Sequence, residues 1–99
     1  MKGVNLARVA KAHGGSLDLP LRGASVRAMS LSGPRDDGTG EAFYLALDGE
    51  LVVDLPHGEF THLRPGDSVT VPAGTPRRLC PVGEAVLLRV HGSSEKPSL

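Results

Sequence analysis

The sequence is short of several things, and each shortage removes a class of function. Cys80 is its one cysteine, so no internal disulfide can form, as expected for a reducing compartment. Tryptophan is absent and the aromatics are only Phe43, Tyr44 and Phe60. A broad stacking platform for single-stranded nucleic acid is therefore excluded. Charge of either sign is not in excess: 11 Lys and Arg stand against 11 Asp and Glu. No basic run exceeds the Arg77-Arg78 pair, too little clustering to track a phosphate backbone. Long apolar runs are missing too. Val4 to Ala12, the nearest approach, is broken by Asn5, Arg8 and Lys11, which argues against a signal peptide or a spanning helix. The expectation is a cytoplasmic protein with neither nucleic acid nor membrane as partner.

What is present suits one domain over residues 1–99. A chain of this length buries roughly 60–70% of its extended surface, enough for a core without staples. Isoleucine is absent, so leucine and valine must build that core. Residues 5–13 read as a short helix, with Asn5 as cap and Leu6, Val9 and Ala10 on one face. Residues 16–24 read as a connector or edge strand, and 92–99 as a flexible tail.

Between them, residues 25–91 read as β-structure. Strands are expected at Ser25–Ser32, Glu41–Leu47, Glu50–Leu55, Glu59–Leu63, Ser68–Val71, Arg77–Cys80 and Ala85–His91. Asp48-Gly49 is a hairpin signal, because a primed turn needs positive φ. Pro81-Val-Gly83 reads as another turn, and Gly33 to Gly40 as a polar loop. Connections this short allow antiparallel pairing only, so the expected fold is an all-β antiparallel jelly-roll barrel with a short N-terminal helix.

The most specific stretch is Gly66-Asp-Ser-Val-Thr-Val-Pro72-Ala-Gly74-Thr-Pro-Arg77. Its glycine, Pro-x-Gly and following spacing resemble the second motif of the small single-domain cupins. Glu41 to Glu50 resembles the first-motif strand, and Val86 to Val90 the closing strand. The resemblance implies a metal held by two histidines and a glutamate of the first motif and one histidine of the second. Carried over, the second-motif position holds Arg77 and the glutamate position Ala42. The histidine pair falls on Asp36 and Gly38, or on Arg35 and Asp37 if the loop is one residue longer. A guanidinium has no lone pair for a metal. No metal and no other cofactor is expected.

Arg77 has two readings. It recognises a carboxylate or phosphate ligand, or it closes an internal ion pair with Asp36, Asp37 or Glu41. Tyr44 shares a face with Ala42 and Ala46 in a regular strand. The two alanines leave room for a pocket with the hydroxyl pointing in; the alternative is a core tyrosine bonded to a backbone carbonyl. Arg77, Tyr44, Ala42, Ala46 and Asp36 are thus the candidate pocket residues. Arg78 should face outward, and Cys80 reads as an inert strand thiol. His57 and His62 face opposite ways on one strand, whereas a meeting of His62 with His91 stays open.

The favoured function is a non-catalytic small-molecule-binding or structural cupin, with no catalytic residue assigned. Its partners would be a small anionic or sugar-like molecule and a second copy in a homodimer. The alternatives are a cupin enzyme of isomerase or dioxygenase type with a displaced metal, and a homodimeric interaction module.

Overall fold

Alternating apolar and polar residues set the strand pattern, and among the described residues every pairing is antiparallel. The computed structural model describes residues 16–19, as backbone, and residues 25–91. The helix expected at 5–13 and the tail expected at 92–99 lie outside the described residues. Seven strands follow: β1 (Ser16–Leu19), β2 (Ser25–Leu31), β3 (Arg35–Asp36), β4 (Ala42–Asp54), β5 (Phe60–Leu63), β6 (Ser68–Val71) and β7 (Arg78–His91). Their order is β1-β2-β7-β4-β5, with β3 beside β7 and β6 beside β4. The result is the expected antiparallel jelly roll. β1 covers the start of the 16–24 segment read as a connector or edge strand, and residues 20–24 lie outside the described residues.

Two expected turns do not form. Asp48-Gly49 is no hairpin, because residues 42–54 are one continuous strand. Pro81-Val-Gly83 likewise lies inside β7. The two long strands pair along their whole length, and the register shifts between Ala46 and Asp48 and again between Asp48 and Glu50. These are bulges, at which both strands bend from one half of the barrel into the other. β6 flanks the first half of β4 and β5 flanks the second. Gly49 keeps the positive φ that suggested a turn, +71°, but uses it to bend a strand. A Cβ there would lie 2.2 Å from the Glu84 carbonyl oxygen, so the crossing needs glycine twice over.

The bulge also switches which residues face inward. Ala42, Tyr44 and Ala46 are buried before it, Leu51 and Val53 after it. An even separation would have kept one parity; the extra residue inverts it. Met29, Leu31, Leu63, Val71, Leu79, Ala85 and Leu87 complete that core. By the same alternation, Arg89 and His91 continue the inward face of β7 below Leu87, opposite Tyr44 and Ala42.

Candidate functional site

The polar centre of the barrel forms where β3, β4 and β7 meet. Asp36 pairs with Arg78 across β3 and β7. One residue further out, the Asp37 N–H donates to the Arg77 carbonyl at 3.1 Å. Strand alternation then separates the two aspartates. Asp36 points outward and accepts from Arg78 Nε at 3.0 Å in an exposed ion pair. Asp37 points inward, and its carboxylate is buried.

Asp37 Oδ1 accepts from Arg89 Nη1 at 2.5 Å, and Oδ2 accepts from the Tyr44 hydroxyl. That hydroxyl in turn accepts from Arg77 Nη1 at 3.4 Å. Arg77 also donates through Nε to the Thr75 carbonyl, 3.0 Å, and through Nη2 to the Pro72 carbonyl, 3.4 Å. One carboxylate thus answers Arg89 directly and Arg77 through a tyrosine. His91 Nε2 stands 4.0 Å from Asp37 Oδ2. Burial, and then the Arg89 charge, hold the His91 imidazole below its ordinary pKa. Burial and the bond to Asp37 raise the Tyr44 phenol above its ordinary range, so it stays a donor.

Sequence reasoning grouped Arg77, Tyr44, Ala42, Ala46 and Asp36. The structure brings Arg77 and Tyr44 into contact and buries Ala42 and Ala46 on the same face. Tyr44, Ala42 and Ala46 pack within the core cluster, and neither described cavity is lined by them. Tyr44 bonds to a carboxylate, not to the backbone carbonyl considered for it. Asp36 is displaced by alternation to the outer face, where it and Arg77 both line a cavity of about 440 Å³. Among the described residues no carboxylate makes a direct ion pair with Arg77. Arg89 and His91 were missed, although alternation onward from Leu87 places both inward; reading 86–90 as an apolar closing strand hid them. His62 settles on Glu50, 2.7 Å away, and does not meet His91.

A larger hollow of about 610 Å³ opens beside this network, between β6 with its following loop and the turn Pro56–Gly58. Leu55, Val69 and Val71 join it to the core, and Pro56, Pro72 and Pro76 stiffen its walls. Two of its residues, Pro72 and Thr75, are those whose carbonyls Arg77 holds. The arginine is therefore a strut behind the hollow's wall.

A metal at the positions implied by the motif does not fit these residues. Arg77 brings a cation, Ala42 a methyl, and both Asp37 oxygens are already engaged. Among the described residues no three His, Cys, Asp or Glu side chains converge. No helix among them is long and apolar enough to cross a membrane.

The family model described as Cupin domain matches residues 30–91. No curated protein matches the chain. Among solved structures, protein NMB1881 from Neisseria meningitidis is 18% identical with a TM-score of 0.78, over 93% of this chain and 100% of that one. A cupin superfamily protein from Desulfitobacterium hafniense is 22% identical with a TM-score of 0.67, over 78% and 74%. Hydroxypropylphosphonic acid epoxidase from S. wedmorenis is 17% identical with a TM-score of 0.62, over 70% of this chain and 43% of that enzyme. At these identities the likeness is one of fold.

Proposed function

The chain belongs to the cupin family, and from that premise we propose that it is a non-catalytic binder of small molecules. One observation carries the reading. Where the family motif implies a metal centre, Arg77 braces the wall of a preformed hollow through the Thr75 and Pro72 carbonyls. The hollow has the volume and apolar lining of a small-molecule site. Proline-stiffened walls lower the ordering cost of binding. The interior network offers neither an open ligand position nor a free carboxylate, which supports a role without metal chemistry.

The test is an amide-resolved NMR titration of the full chain with a fragment mixture, run in parallel with Fe(II), Mn(II) and Zn(II). Saturable shifts confined to residues 55–59 and 69–76, with no stoichiometric metal uptake, are expected. Tight binding of any of the three metals with shifts centred on Asp37 and Arg89 would overturn the reading.

The homodimeric module is a second reading with one observation in its favour. Among the described residues β5 pairs only with β4, and Phe60 is exposed at its start. A sedimentation measurement decides it: a concentration-independent monomer removes it.

A further inference from the structure

The charges around the hollow point to the kind of molecule it takes. Glu59 is the one acidic side chain among the described residues that line it, and neither lysine nor arginine is among them. Arg77, the nearest internal cation described above, lies behind the wall with its N–H groups turned to the wall's own carbonyls. It opens instead on the neighbouring 440 Å³ cavity, where Arg78 and Asp36 satisfy each other. An anion entering the larger hollow would meet a carboxylate and neither a lysine nor an arginine. That argues against the anionic ligand expected from Arg77 in the sequence.

The rim supplies a second, independent observation. His57 sits there with φ 64° and ψ 30°, the one non-glycine positive φ among the described residues. Gly58 follows at φ 75°. Glycine or asparagine would take the His57 position with less strain, which is of order 1–2 kcal/mol for an ordinary side chain and smaller for histidine. The His57 imidazole and the Thr70 and Thr75 hydroxyls add hydrogen-bonding capacity around an apolar floor.

We infer that the hollow takes a compact apolar molecule bearing a cationic amine, with the body against Leu55, Val69 and the prolines and the amine toward Glu59. This rests on the proposed binding function and adds the ligand's charge to it. Glu59 is exposed, so its contribution is small, a preference of roughly two- to five-fold for an amine over a neutral group.

A matched series isolates that charge: benzylamine, benzyl alcohol and benzoate share one body. Titrated into the full chain at pH 7 and low salt, and followed on the amides of 55–59 and 69–76, they should bind in that order. Glu59→Gln should bring benzylamine level with benzyl alcohol and leave benzyl alcohol unchanged. His57→Gly should keep or raise the melting temperature while weakening benzylamine. Benzoate binding as well as benzylamine, or a preference that survives Glu59→Gln, overturns the amine inference and leaves the binding reading standing. Failure of all three to shift the hollow overturns both.

Discussion

Replacing Asp37 with asparagine keeps the side-chain volume and removes one charge. The carboxylate is 3% exposed and its partner Arg89 10% exposed, 2.5 Å apart. Asparagine can still accept from the Tyr44 hydroxyl, so the loss is chiefly electrostatic: Arg89 and Arg77 become buried cations with no internal anion. Removing one member of a buried pair costs about 3–5 kcal/mol, because the other is left uncompensated. The neighbouring residue is the control. Asp36 is 77% exposed and its partner Arg78 55% exposed. Exposed pairs contribute ~0–1 kcal/mol, so Asp36→Asn should be nearly silent. Two adjacent, chemically identical substitutions should therefore differ by ~2 kcal/mol or more. Domains of this kind hold ~5–15 kcal/mol in total, and 1 kcal/mol moves a melting temperature by roughly 4–8 °C in a chain of this size. Urea melts read the difference directly, as a lower midpoint with an unchanged slope for Asp37→Asn. Adding Arg89→Met to Asp37→Asn should recover part of the loss, since it removes one of the orphaned charges. An Asp37→Asn variant within ~1 kcal/mol of wild type, or an Asp36→Asn variant as damaged as it, would refute the assignment of inner and outer aspartates.

Gly49→Ala should cost more than ~2 kcal/mol in a thermal melt, since it adds steric overlap with the Glu84 carbonyl to an unfavourable φ. Gly66→Ala, at φ +93° with nothing within 4 Å, should lose only the ~1 kcal/mol of backbone strain; equal losses would contradict the close crossing at the bend. His91 has a folded pKa below its unfolded value of 6.5. The unfolded chain therefore binds more protons between the two, and stability rises with pH across that window. The penalty is fully present below the folded pKa and gone above 6.5, so His91→Gln should flatten the slope of melting temperature against pH just below 6.5. A slope unchanged in the variant assigns it to other groups.

The strand positions were legible because short-range alternation encodes them, and β2, β5 and β6 stand within a residue or so of expectation. The turns were misread where one local signal serves two purposes. Positive φ at Gly49 and Gly83 is compatible with a hairpin and with a bulge. Only the long-range pairing of residues 42–54 with 78–91 distinguishes them. The same limit governed the site. Asp36 and Asp37 carry identical chemistry, and the one-residue ambiguity in the 33–40 loop decided which of them entered the barrel. The contact that fixes it is the Asp37 N–H bond to Arg77, a pairing 40 residues apart in sequence.

That pairing also ties together a polar interior at the place where the cupin resemblance implies a metal centre. Here Arg89, projecting from the closing strand, provides the positive charge, and Asp37 is the shared acceptor that joins it to Tyr44 on β4. Arg77 then extends the network to the loop after β6 through two backbone carbonyls. A metal ligand would spend its lone pair on the ion; a guanidinium has five N–H donors and can face several acceptors at once. Lysine at position 77 keeps the charge but not the planar fork, so Arg77→Lys should still fold while loosening the hollow's wall. Faster hydrogen exchange at Gly74 and Thr75 in that variant would show it, and exchange there identical to wild type would remove Arg77 as the strut.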